Sequence, residues 1–168
     1  MVFFVTCCTE GRREGLTASP GANTVCDLVA ASDGERDTST YAFTVMPDHV
    51  HWLFALGARL SLGRVIARLK AKSRIAMAAA GIEWQRDFFE HRLRIEEAIE
   101  PYGLYVFLNP YRASLIQTDE VWPNWRCPRP EEFRFISVLG PEGTPPPEWV
   151  GEPIPNDLVT GEWGQGRL

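Results

Sequence analysis

Apolar positions along the chain follow two periods, and the switches between them outline the elements. Residues 2–7 are β-branched and aromatic and predict a strand. Residues 9–21, rich in Gly, Arg, Ser and Pro, predict a loop. Val25, Leu28 and Val29, with Asn23 or Thr24 as a cap, predict a short helix over 23–31, followed by a polar, turn-like stretch to about Thr40. Residues 41–46 and His49–Leu56 read as two further strands. Only Pro47-Asp48 separates them, so they should pair as a hairpin. Ser61 then caps a long helix to about Ala80, stopped by Gly81. Leu62, Val65, Ile66, Leu69, Ile75 and Met77 are expected on its inner side, and arginines and lysines on the other. Residues 84–89 predict a fourth strand, with Phe88 and Phe89 in the core. Residues 94–99 and 105–115 are helical in character, and Pro101 and Gly103 between them should kink or split the helix. The order β-α-β-β-α-β plus a final helix predicts an α+β, ferredoxin-like fold: one antiparallel sheet with helices on one face.

At about Asp119 the composition changes to Pro, Gly, Trp and Glu, including Pro145-Pro146-Pro147. This divides the chain into a domain over 1–118 and an extension over 119–168. The extension is expected to hold a short ordered element near 131–139 and otherwise an extended tail pinned by Trp149 and Trp163.

The chain has 168 residues, 45% hydrophobic and 23% charged, which suits one soluble domain with an appendage. Its longest apolar runs, 1–8 and 50–58, fall well short of the roughly 20 residues that span a bilayer. The first run has no basic lead-in and meets Thr-Glu-Gly-Arg-Arg at once, unlike a signal peptide. A cytoplasmic protein with no membrane partner is expected. Cys7, Cys8, Cys26 and Cys127 contain no Cys-x-x-Cys pair and read as reduced, small buried side chains.

The net charge of −5 argues against a polyanion partner, but its distribution does not. Between Arg59 and Arg94 nine cations face only Glu83, Asp87 and Glu90, an excess of six on an otherwise acidic chain. Such a basic middle is a local electrostatic footprint for nucleic acid, or simply a solvated helix face.

Two of the three histidines form His49-Val50-His51 within a predicted strand. Residues i and i+2 of a strand share a face, so both imidazoles project together and can hold one divalent metal ion. Val50 and Leu53 are assigned to the other face. The plain alternative is two polar residues on the solvent side of a hairpin. Tyr105 and Asn109 lie one helical turn apart and share a face, offering a phenol oxygen beside an amide carbonyl. Here the plain alternative is a core tyrosine and a helix-ending Asn-Pro. Tyr102 is a second tyrosine nearby, but lacks an asparagine four residues on. No phosphate-binding glycine loop, dinucleotide fingerprint or nucleophile elbow is present.

Together, Tyr41-Ala-Phe-Thr-Val-Met-Pro-Asp-His-Val-His51, Trp84-Gln-Arg-Asp-Phe-Phe89 and Tyr105-Val-Phe-Leu-Asn-Pro-Tyr-Arg-Ala-Ser-Leu115 resemble the IS200-like, single-tyrosine HUH transposases, and among them the REP-associated tyrosine transposases. The resemblance runs from the first strand to about Leu115. It implies a metal-dependent endonuclease and strand transferase acting on single-stranded, hairpin-forming DNA as a monomer or homodimer. His49 and His51 match the pair that binds Mg²⁺ or Mn²⁺, Asn109 matches the third ligand, and Tyr105 matches the nucleophile that forms a 5′-phosphotyrosine. Arg64, Arg68, Lys70, Lys72, Arg74 and Arg86 are the expected DNA contacts. Two alternatives stay open: a catalytically inactive nucleic-acid-binding module, and a metal-dependent phosphodiesterase in which Tyr105 is structural.

Overall fold

The strand His49–Leu56 is buried along most of its length, which is the signature of a central strand covered on both faces. The structure, a computed structural model, describes residues 1–18, 20–155 and 158, so Trp163 lies outside the described residues. In chain order the elements are β1 (Val2–Cys8), α1 (Gly21–Gly34), β2 (Thr38–Val45), β3 (His49–Leu56), α2 (Leu62–Ala79), β4 (Phe89–Arg92), α3 (Glu100–Arg112) and β5 (Trp125–Arg126). The sheet order is β4-β1-β3-β2-β5, and all neighbours run antiparallel. β2 and β3 form the expected hairpin, closed by Met46 N–H donating to the His49 carbonyl at 2.8 Å. The α+β fold read from the sequence is the one observed.

Strand parity sorts the core into two halves. Phe3, Val5, Phe43, Val50, Trp52 and Phe54 pack beneath α1 and α2. Phe4, Ala42 and Leu53 face the other way and pack against α3, together with Phe133 and Phe135. The expectation of helices on one face therefore holds for α1 and α2, while α3 covers the opposite face. Leu53 sits on the histidine face rather than opposite it, as its offset of two from His51 requires.

Helix α2 begins at Ser61, whose side chain accepts from Arg64 N–H at 3.4 Å, and ends before Gly81 at a φ of 71°. Ile75 is not on its inner side but 86% exposed. Ser73 is buried instead, donating to the Leu69 carbonyl at 2.7 Å and accepting from Trp84 Nε1 at 2.8 Å. The fourth strand starts later than expected. Trp84 bridges Thr9 and Gln85 N–H donates to the Cys8 carbonyl at 2.9 Å, but the carbonyls of Gln85, Arg86 and Asp87 accept from Lys70 Nζ at 2.8, 3.2 and 2.9 Å, and the continuous ladder begins where Phe89 pairs with Thr6.

Pro101 stands in the first turn of α3 and starts the helix instead of splitting it, because its missing N–H has no partner to lose there. Residues 94–99 are not helical. They are gathered around Glu97, which accepts from Arg94 N–H, from His91 and, at 3.0 Å, from Tyr102. The Arg94 N–H is the main cause holding the Glu97 carboxyl down at about 2. The ordered element expected near 131–139 is present as a 3₁₀ turn at Phe135–Val138, and Trp149 packs against the α3 half of the core as expected, but the rest is folded back rather than extended. β5 adds an edge strand, short 3₁₀ turns follow, and Phe133 and Phe135 bury themselves against α3. Among the described residues no helix is long and apolar enough to cross a membrane.

Candidate functional site

β3 leaves the Pro47-Asp48 turn with His49 as its first residue, so the histidine pair lies at one end of the sheet on the face that α3 covers. His49 is 6% exposed and His51 fully buried. Their Nε2 atoms are 3.1 Å apart, with the rings nearly perpendicular. Each Nδ1 is held from behind. His49 Nδ1 meets Asp48 Oδ1 at 2.7 Å, and His51 Nδ1 meets Thr6 Oγ1 at 2.9 Å. Asp48 in turn accepts from Arg12 Nε at 2.9 Å. Burial alone would raise the Asp48 carboxyl, but the hydrogen bond from His49 and the Arg12 guanidinium outweigh it and hold it below the usual carboxylate range.

Helix α3 supplies the other two groups. Asn109 Nδ2 lies 3.2 Å from His51 Nε2, and the amide turned over presents Oδ1 there instead. Tyr105, one turn earlier, is 2% exposed, and its ring stands edge-on to His51 with centroids 5.4 Å apart. Phe4 locks both, stacked on the His51 ring at 5.3 Å and edge-on to Tyr105 at 5.9 Å. His49, Tyr105 and Asn109 line one open cleft, together with Arg12, Met46, Asp48, Arg112 and Leu115. The structure thus brings His49, His51, Tyr105 and Asn109 together.

The donor set suits one divalent ion. Two metal–nitrogen bonds of about 2.1 Å meeting at a right angle place their nitrogens about 3.0 Å apart, close to the spacing found. The outer partners aim both Nε2 atoms at that point, and the Asn109 amide is the third donor in reach. Among the described residues no three His, Cys, Asp or Glu side chains gather into a metal cluster, so His49, His51 and the Asn109 amide are the set available. The hydroxyl of Thr44, which pairs with His51 across the β2–β3 ladder, is buried without a hydrogen-bond partner.

The cations expected to bind DNA are placed elsewhere. Arg64, Arg68, Lys70, Lys72 and Arg74 are on α2, across the sheet from the histidines, and Arg86 follows on the chain toward β4. Arg68 is paired with Glu35 and Asp37 at 2.6 and 3.0 Å, and Lys70 is committed to three carbonyls. Arg64, Lys72, Arg74 and Arg86 are exposed. Thr6, Arg12, Thr44 and Arg112 escaped the reading of the sequence. Thr6 and Thr44 follow from β-register beside His51, and Arg112 stands three residues after Asn109 on the same helix, whereas nothing in the sequence marks Arg12.

Comparison with known proteins bears on the family and the fold. Residues 2–95, more than half of the chain, match the family described as IS200-like transposases. A Haemophilus influenzae protein named for the REP-associated tyrosine transposases is 28% identical over 99 residues, 50% of this chain and 56% of that protein. The chain thus spans little more than half the length of that relative. The solved structure of a REP-associated tyrosine transposase bound to a REP hairpin superposes with a TM-score of 0.61 at 21% identity, over 74% of each chain. The family match contains His49 and His51, and Tyr105 and Asn109 lie beyond it.

Proposed function

The chain belongs to the IS200-like transposase family, and on that footing we propose that it is a metal-dependent endonuclease and strand transferase for single-stranded DNA, working through a 5′-phosphotyrosine on Tyr105. The observation that carries the proposal is the convergence of Tyr105 and Asn109 from α3 on His49 and His51 from β3 in one cleft. Its place of action is the cytoplasm, and one chain supplies all four side chains, so a monomer or a homodimer serves equally.

In this reading the Tyr105 oxygen attacks a phosphodiester, forming a bond from Oη to phosphorus. The bond to the 3′ oxygen breaks, the phenol gives up its proton to water, and the leaving oxygen takes one up to become a free 3′-hydroxyl. The adduct stores the phosphodiester bond energy, so a second 3′-hydroxyl can reverse the reaction without ATP. A Mg²⁺ or Mn²⁺ ion held by His49, His51 and Asn109 would polarise the scissile phosphate and offset its developing charge. Arg12 and Arg112 line the cleft, Arg12 held by Asp48 and Cys8 and Arg112 by the Trp149 and Glu152 carbonyls, and their charges would favour a phosphodiester there. Phe4 and the packing of α3 hold Tyr105 and His51 in fixed relation, which lowers the reorientation needed at the moment of attack. Arg64, Lys72, Arg74 and Arg86 are proposed backbone contacts for the flanking DNA, reached across the sheet. The substrate class we propose is a single strand beside a hairpin, by analogy with the hairpin in the structurally similar transposase.

The test is an adduct assay with Mn²⁺ and hairpin-flanked single strands, labelled separately at each end and taken from the sequences bordering the gene. The 3′-labelled fragment should migrate with protein on a denaturing gel, and the 5′-labelled fragment should run free. Tyr105→Phe should abolish the adduct and leave binding nearly intact, because it removes a single oxygen, while Tyr102→Phe should still form it. Cleavage that persists in Tyr105→Phe, with both fragments free, would assign a hydrolase in which Tyr105 is structural. Binding without any cleavage of these substrates would assign an inactive binding module.

A further inference from the structure

Beside the histidine pair, the loop leaving β1 takes an unusual path. Gly11 and Arg12 both adopt left-handed backbone, at φ values of 63° and 54°, and Arg12 has no glycine freedom to make that easy. The loop is tied down at several points. Thr9 donates to the Asp48 carbonyl through N–H at 2.9 Å and through Oγ1 at 3.1 Å, and Gly15 and Leu16 both donate to the Pro47 carbonyl at 3.0 and 2.9 Å. The effect of this path is to point a guanidinium back at the turn that begins β3. Arg12 Nε donates to Asp48 Oδ2 at 2.9 Å, and its Nη1 to Cys8 Sγ at 2.9 Å. The other Asp48 oxygen lies 2.7 Å from His49 Nδ1. An unbroken chain of contacts runs from Arg12 through Asp48 to His49.

We propose that Arg12 is a positioning residue for the metal-binding histidines: by clamping Asp48 it fixes the ring of His49 with Nε2 aimed at the metal. The inference rests on the metal-dependent reading above. A carboxylate can only accept, so the His49 nitrogen facing it must carry the proton, leaving the Nε2 lone pair for a cation. An aspartate carboxylate, carried on two rotatable bonds, swings unless its second oxygen is also held. Arg12 holds it. Arg12 also brings the β1 loop into the same unit, so the clamp and the strand that carries His51's partner Thr6 move together.

Mn²⁺ affinity of the full-length protein, read from the electron paramagnetic resonance signal of the free ion, tests this without any need for DNA or cleavage. Arg12→Gln should weaken Mn²⁺ binding about tenfold, the lower end of the scale for losing the outer partner of a metal-binding histidine, because it releases Asp48, which is that partner. Arg12→Gly should weaken it as much, although glycine suits the left-handed backbone and favours the loop's own conformation. A residue that merely shaped the loop would leave affinity unchanged in the glycine variant. Asp48→Asn should also weaken binding, and adding Arg12→Gln to it should cost almost nothing more, because Arg12 acts through Asp48. Equal affinity in wild type and both Arg12 variants would overturn the proposal while leaving the metal reading intact. A full further loss in the double variant would also overturn it. A wild type that binds no Mn²⁺ would remove the metal reading and this inference together, whatever the adduct assay shows.

Discussion

His49 and His51 are the same side chain two residues apart, yet their outer partners give them different freedom. Asp48 can only accept, so His49 keeps its proton on Nδ1. Thr6 has a hydroxyl that can donate or accept, so His51 can hold its proton on either nitrogen. The contact of 3.1 Å between the two Nε2 atoms needs one N–H, and with His49 fixed the donor is His51. Metal binding requires that proton to move to Nδ1, where Thr6 then accepts. Thr6→Val, nearly the same shape without the hydroxyl, should therefore lower Mn²⁺ affinity about tenfold. It should also cost about 1–3 kcal/mol of stability, since a buried ring nitrogen loses its partner. Thr6→Ser should recover most of both. Mn²⁺ titration and urea denaturation of the three proteins check this, and unchanged affinity in Thr6→Val would remove the tautomer argument. The histidine pair was legible in the sequence because its spacing alone puts both rings on one face. Thr6 was not, because it stands 45 residues away and only the Thr6–His51 register brings it there.

Among the elements, α3 departs most from its sequence reading, and it carries Tyr105. Pro101 and Gly103 looked like interruptions, since both disfavour a helix interior. Pro101 is harmless in the first turn. Gly103 is required by a neighbour: a Cβ on it would land on the ring of Phe133, from the segment after β5. The glycine was visible in the sequence, but its reason lies thirty residues on, in a short ordered element whose packing partner no local pattern names. Gly103→Ala should destabilise the protein by about 1–3 kcal/mol despite alanine's better helix propensity, because overpacking outweighs a gain of about 1 kcal/mol. In a Phe133→Ala background the same change should become neutral or stabilising. Thermal melts of the four proteins close the cycle. Additive losses would mean that Phe133 is not what excludes a side chain at Gly103. The failure at Ile75 has a similar origin. An amphipathic pattern gives a helix face only to within a residue or so, and Trp84 Nε1 selects Ser73 for the buried position by offering it a hydrogen bond.

At the scale of the whole molecule, the sheet separates chemistry from charge. The histidine–tyrosine cleft lies on the α3 face, and the basic stretch that raised the prospect of nucleic acid lies on the α2 face. Sequence patterning showed the excess of cations but not its side, since the side follows from which face each helix covers. It also could not separate cations facing solvent from those already paired. Arg68 is neutralised by Glu35 and Asp37, and Lys70 caps backbone carbonyls, which leaves Arg64, Lys72 and Arg74 as the exposed charges on α2. A DNA strand held only in the cleft would not feel them beyond about 10 Å at ordinary salt. A strand or hairpin stem that wraps the sheet edge would. Affinity for a hairpin-flanked single strand should fall as salt rises, with a slope of about 0.7–0.9 per phosphate neutralised. Replacing Arg64, Lys72 and Arg74 together by Gln should flatten that slope by about 2 if all three meet phosphates, while adduct formation at saturating DNA stays at the wild-type level. Arg12→Gln, in the cleft, should instead lower adduct yield at saturation. A triple variant with the wild-type slope would confine the DNA to the α3 face and make the α2 cations a solvated surface.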